Sequence, residues 1–306
     1  MYGSVLSVLS EDIILLIRLR EPALELCRLS NLGDRENASL ETIRILSLPE
    51  LTISSSLRWA TCFGEHPGHA LFAKYRQQHL PPHLHPLQAT GSGSGREFSS
   101  SDGLSASRIG PRRRFRTVPR DGIISVVMQV NGLSGYFRTI DLTVRCRTLL
   151  EFADMHAPTD GTAETRTLEW KKWGPLNTRI LEHDSLTWGS LVGERRATVG
   201  QVSPTRITMR DYNPFRVRRA LEMVTSRGAG PGKEITLENG SVVKVVKEIS
   251  SYRAGEWFCD DIETSLPYVE TVTPYFGCEG IFMDEDNLLA EVRTEVSPPS
   301  SFKFFF

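Results

Sequence analysis

Short β-prone runs, each closed by turn residues, recur along this chain and constrain its fold more than any other feature. Ile13 to Leu19 is a run of leucine and β-branched residues, the pattern of a buried strand, and Glu21-Pro22 ends it. Leu24 and Leu26 alternate with Glu25 and Cys27, as in a half-buried strand. Asn31 to Asn37 reads as a polar turn. Ile43, Ile45 and Leu46 then form a third strand, stopped by Pro49. The spacing is short and the connectors are turn-like, so a meander of antiparallel strands is expected rather than βαβ units.

The same grammar returns further on. Ile123 to Val130 is a strong strand ended by Asn131-Gly132, with Phe137, Ile140 and Leu142 to Val144 as its partner. Arg147 to Met155 suits a short helix or loop. Arg206 to Met209 is a strand candidate. Pro214 can open a helix with Val217, Ala220, Leu221 and Val224 on one face. Val242 to Val246 is a further strand, and Gly228 to Gly232 a loop.

Residues 64–121 break this pattern with histidine, proline, glycine, serine and arginine. Four segments follow. Residues 1–87 carry the first strands and the start of an insertion, and 88–110 are a flexible Gly/Ser-rich loop. Residues 111–296 are the main β-rich region. Residues 297–306 are a tail with no identifiable partner. The expected fold is therefore mainly β, an antiparallel meander of propeller-like and incomplete character, with a long disordered loop insertion.

At 306 residues the chain can bury a large core, and a net charge of -1 calls for no polyanionic partner. Five scattered cysteines with no CxxC spacing argue against a disulfide framework and for a reducing compartment. The start lacks a basic n-region, and the apolar run at Ile13 to Ile17 is far short of the ~20 residues that cross a bilayer. An intracellular protein, cytoplasmic or nuclear, without a membrane or nucleic-acid partner is expected.

Three phrases stand out: Trp170-Lys171-Lys172-Trp173-Gly174-Pro175-Leu176-Asn177-Thr178-Arg179, Leu266 to Val272, and Gly280 to Leu289, each read as a short β-prone run closed by turn residues. With Asp211-Tyr212-Asn213-Pro214 and its following arginines, they resemble the C-terminal half of an F-box protein family expanded in mushroom-forming fungi. The resemblance covers roughly residues 120–293, with weaker similarity from the start to about residue 60. It implies a propeller-type β-rich region that recruits protein substrates. The F-box itself, a compact three-helix module, has no counterpart at the start of this sequence, which opens in strand pattern. Binding to a ubiquitin-ligase adaptor is therefore carried over to no residue, and is expected only if a missing F-box is restored.

Each candidate chemistry has a plainer reading. His66, His69, His79, His83 and His85, with Cys62, hold zinc-ligand types, but the intervening prolines prevent helical spacing, and a solvated loop is expected. Arg112, Arg113, Arg114, Arg116 and Arg120 border the insertion and read as a linker edge; Arg216, Arg218 and Arg219 read as an exposed helix face. Asp284-Glu285-Asp286-Asn287 suits a hairpin turn. Gly228-x-Gly230-x-Gly232 follows a helix pattern and lacks a Lys-Ser/Thr pair, so it is no nucleotide loop. Trp170, Trp173, Trp188 and Trp257 are read as core packing rather than a ligand site.

The leading expectation is a non-enzymatic protein-interaction module without cofactor, metal or catalytic residue, binding an unidentified protein partner through loops near Trp188 and Tyr268. The alternatives are an enzyme using Asp260, Asp261 or His183, and a degenerate gene product.

Overall fold

The computed structural model describes residues 5–31, 38–64, 119–132, 137–155, 167–183, 188–200, 206–230, 232–255, 257–274, 278–283, 288–292 and 301–305. The described residues all belong to one compact unit. The histidines at 66–85, the 88–110 tract and Arg112 to Arg116 lie outside the described residues.

The chain opens with β1 (Val5–Val8), β2 (Ile13–Arg18), β3 (Ala23–Ser30), β4 (Ser39–Ser47) and β5 (Ser56–Phe63). Next come β6 (Ile123–Asn131), β7 (Phe137–Arg145), α1 (Cys146–Asp154), β8 (Thr167–Leu168), α2 (Trp170–Asn177) and β9 (Thr178–His183). Then follow β10 (Trp188–Val192), β11 (Arg195–Val199), β12 (Ile207–Asp211), α3 (Pro214–Ser226), β13 (Glu234–Thr236) and β14 (Val242–Val246). The last strands are β15 (Ser250–Tyr252), β16 (Ile262–Thr264), β17 (Tyr268–Val272), β18 (Cys278–Met283), β19 (Leu288–Val292) and β20 (Ser301–Phe305).

These strands form a five-stranded sheet β1-β2-β3-β4-β8, a four-stranded sheet β5-β6-β7-β9 and a six-stranded sheet β10-β11-β12-β17-β14-β13. A two-stranded ribbon, β15-β16, and a three-stranded sheet, β18-β19-β20, complete the set. The mainly β, antiparallel architecture matches the expectation. The simple meander does not hold throughout: β8 joins β4 in parallel, and β17 inserts between β12 and β14. The described residues close no propeller ring. Sheets of five, four and six strands stack face to face here, whereas propeller blades repeat a four-stranded unit around an axis.

The four-stranded sheet is the central layer. One of its faces presents Ile124, Val126, Val130, Ile140, Leu142 and Val144 to Leu15, Leu24, Leu26 and Leu46 of the five-stranded sheet. The opposite face carries Ser125, Gln129, Thr139, Asp141 and Thr143, all buried as well, and meets the six-stranded sheet. That sheet's far side is covered in two places. Val217 and Val224 of α3 pack on Val243, Val245 and Val269, while Ile281 and Met283 of β18 pack on Ala197, Val199 and Ile207.

Two sequence expectations change. The Trp170 to Arg179 phrase is not a β-run: it folds as α2 and the start of β9. Trp170 and Trp173, three residues apart, share a helix side, and both are buried in the main core. Their rings pack edge-to-face at 5.1 Å. Gly174 permits this, because a Cβ there would lie 2.4 Å from the Trp170 ring. The C-terminal tail also finds a partner: Ser301–Phe305 pairs antiparallel with Leu288–Val292. Asp284 to Asn287 lie outside the described residues, between strands that pair Met283 with Leu288.

Candidate functional site

Charged residues gather in the layer between the four- and six-stranded sheets and in a groove at one end of the five-stranded sheet. In the layer, Asp141 of β7 and Arg196 of β11 are 0% and 3% exposed and form an ion pair, Nη2 to Oδ2, at 2.8 Å. Ser125 Oγ, on the neighbouring strand, donates to Asp141 Oδ1 at 2.5 Å. The Arg196 guanidinium also lies 5.4 Å from the centre of the Phe63 ring. Removed from water, two such charges are tolerable only as a pair with further hydrogen bonds.

Register extends the layer sideways. Arg196 stands opposite Arg210, and Arg210 opposite Glu270, whose carboxylate accepts from Arg210 Nε at 2.8 Å. Tyr268 lies beneath two guanidinium groups, Arg179 at 5.3 Å and Arg210 at 6.0 Å from its ring centre. Arg179 is fully buried. Its Nε donates to the Leu266 carbonyl, and its Nη1 donates to the Glu248 carbonyl and Ser250 Oγ. Burial lowers its pKa from the ordinary arginine value, but neutral acceptors and the face of the Tyr268 ring hold the cation. Arg179 Nη2, Arg196 Nε and Nη1, and Arg210 Nη1 have no acceptor among the described residues.

The Asp211 to Pro214 phrase joins this layer to α3. Asp211 accepts from the Asn213 backbone, and burial raises its carboxyl. Tyr212 is fully buried against Tyr268, with ring centres 5.3 Å apart, and its hydroxyl donates to Thr143. Burial raises both phenols above the ordinary tyrosine value. Asn213 Oδ1 caps α3 by accepting from Phe215 N and Arg216 N, and Pro214 occupies the first turn, where no donor is needed. Asn213 also donates to Glu194, whose carboxyl is raised by burial.

The Trp170 phrase is likewise a joint. Trp173 Nε1 donates to the Ser47 carbonyl at the end of β4. The Pro175 carbonyl accepts from Ser265 N, and the Thr178 carbonyl from Leu266 N. The residues of this phrase and of Asp211 to Pro214 are thus occupied in fixing elements to one another.

The groove is different. An open cavity of about 920 Å³ lies between the β2–β3 turn and the segment from β4 to β5. Ile53 at its rim is fully exposed. Arg18, Arg20 and Arg58 line it together with Glu21 and Glu50. Arg18 forms a two-pronged ion pair with Glu25, at 2.6 and 2.8 Å, which holds that carboxyl below its usual value. Hydrogen bonds from Thr52 N to the Trp257 carbonyl and from Cys259 N to the Glu50 carbonyl brace the floor.

The sequence-level candidates fall as follows. Tyr268 is 5% exposed inside the inter-sheet layer, so it is not part of an exposed loop; its ring is needed there to cover two guanidinium groups. Trp188 is the first residue of the edge strand β10, paired with Val199. Asp260 is exposed and pairs with Lys171 at 2.8 Å, and Asp261 accepts from Ala254 N. His183 ends β9 opposite Thr139. Trp170, Trp173 and Trp257 all belong to the main apolar core, as their packing role requires. Burial raises the Cys62 thiol to about 12, and the described residues contain no group of three metal-ligating side chains. No described helix is long and apolar enough to cross a membrane.

Sequence reasoning did not find Asp141, Arg196 or Arg179. The available signal was the company Asp141 keeps: Thr139, Ser125 and Thr143 are small hydroxyl residues suited to a dry interior, not the Lys and Glu of a wet strand face. No family model, no curated protein and no solved structure matches the chain.

Proposed function

We propose that this chain is a non-enzymatic protein-interaction module, similar in role to the substrate-recruiting half of fungal F-box proteins, and that it meets its partner at the groove of the five-stranded sheet. The carrying observation is the contrast in use of charge. The interior arginines and carboxylates face one another across the sheets, while the groove presents Ile53 and charges of both signs to solvent on a braced floor. A rigid layered frame with such a rim suits recognition of a protein surface, where an apolar anchor sits among polar contacts. The adaptor of a cullin ligase belongs to this reading only through an F-box joined to the region.

The test is affinity capture from a mushroom-forming fungus with the wild type and with Ile53→Asp/Arg58→Glu. A discrete client captured by the wild type and lost with the variant supports the reading. An unchanged set of captured proteins, or turnover of a small substrate that disappears in Asp261→Asn, contradicts it.

A further inference from the structure

A second surface lies on α3, where the outward side of the helix is basic. Val217 and Val224 face the valines of the six-stranded sheet. The opposite side exposes Phe215, at 70%, with Arg216, Arg218, Arg219 and Arg227 also exposed. Across Pro214 to Arg227 four arginines stand against a single acid, Glu222. None of the four forms an ion pair among the described residues. Arg218 and Arg219 sit three and four positions after Phe215, one helical turn along the same side. The Arg218 guanidinium lies 5.3 Å from the Phe215 ring centre. The guanidinium is exposed, so its N–H donors stay available to a planar acceptor such as carboxylate.

We propose that this face docks an acidic polypeptide segment that carries at least one apolar side chain. The charge calls for carboxylates, and Phe215 supplies an apolar anchor between the arginines. Exposed arginine beside exposed aromatic is the residue chemistry of protein hot spots. A nucleic acid fits less well: a strand carries a phosphate at every nucleotide and sets one against Glu222 within the basic face, whereas a peptide can place its apolar residue there. A bilayer fits less well still, since the helix's apolar side is already spent on the core. The helix N-terminus is closed by Asn213, so the partner is met by side chains. This surface is separate from the groove, and its test stands apart from the capture experiment above.

The test uses the whole chain and a fluorescein-labelled peptide of about eight residues, long enough in extended form to follow the helix. Its sequence is Asp and Glu with a central Leu, and binding is read by anisotropy. The expected result is saturable binding that weakens as salt is raised. Arg218→Glu/Arg219→Glu weakens it at least about tenfold, the loss of a hot-spot contact. Phe215→Ala weakens it severalfold, and the thermal midpoint is unchanged in both variants because Val217 and Val224 are untouched. Arg28→Glu/Arg147→Glu, equal in charge change but on other elements, leaves binding intact. The proposal is overturned by no binding to the wild type, by equal loss in the Arg28/Arg147 control, or by tighter binding of a single-stranded oligonucleotide or phosphatidylserine vesicles than of the peptide.

Discussion

The two faces of the central sheet use alternate residues of the same strands, yet they close by different physics. Leu142 and Asp141 are neighbours in β7, both fully buried, and point to opposite sides. On the Leu142 side, apolar surfaces meet; the contact is non-directional and tolerates adjustment. On the Asp141 side, Ser125, Arg196, Arg179 and Tyr212 meet through directed bonds that hold in one geometry. The first face supplies stability in proportion to area. The second supplies less net stability but penalises misalignment heavily, since a displaced sheet would strand a buried charge.

Substitutions sharpen this comparison. Asp141→Ala leaves Arg196 buried without its counter-charge, and urea unfolding is expected to show a loss of about 3–5 kcal/mol. Leu142→Ala, one residue along, is expected to lose about 2–5 kcal/mol through a cavity in the apolar face. The two should differ in kind: filling the Leu142 site with Met costs little, whereas Asp141→Asn keeps the shape but still fails to neutralise Arg196.

Alkaline pH offers a gentler probe. Burial raises the phenols of Tyr212, Tyr268 and Tyr252, the last from 10.0 to about 12. Above the ordinary value the unfolded chain loses these protons first, so the folded state binds more protons and stability falls as pH rises. For Tyr252 the window runs from 10.0 to about 12. The urea midpoint should decline across it, and Tyr252→Phe should flatten the slope while removing the bond to the Ile180 carbonyl. An unchanged slope would show that the phenol is not shielded. The smallest effect is expected far from both faces: Arg147→Ala breaks an exposed pair with Glu151 within α1 and should shift stability by about 0.3–0.5 kcal/mol.

Local hydrophobic patterning made the strands of the first sheet legible, because Ile13 to Leu19, Leu24 to Leu26 and Ile43 to Leu46 have one dominant local reading. It also placed Pro214 at a helix start, with Val217 and Val224 inward. It failed at Trp170 to Arg179, where the aromatic spacing of three is helical but the flanking residues read as turn and strand. It left the tail unpaired because strand pairing is a long-range property: Phe305 meets Leu288 without any local sign. The inter-sheet layer was hidden for a related reason. An alternating strand reads as half exposed, and only the packing of a second sheet against its polar face turns Asp141 and Thr143 into interior residues.

The measurement that bears most directly on this account is a double-mutant cycle with Asp141→Leu, Arg196→Met and the two together, followed by urea unfolding. If the pair ties the central sheet to the six-stranded sheet as a dry contact, each single change costs about 3–5 kcal/mol and the double recovers most of it. Single changes that each cost under about 1 kcal/mol, as in an exposed pair, or a double that costs the sum of both, would contradict it.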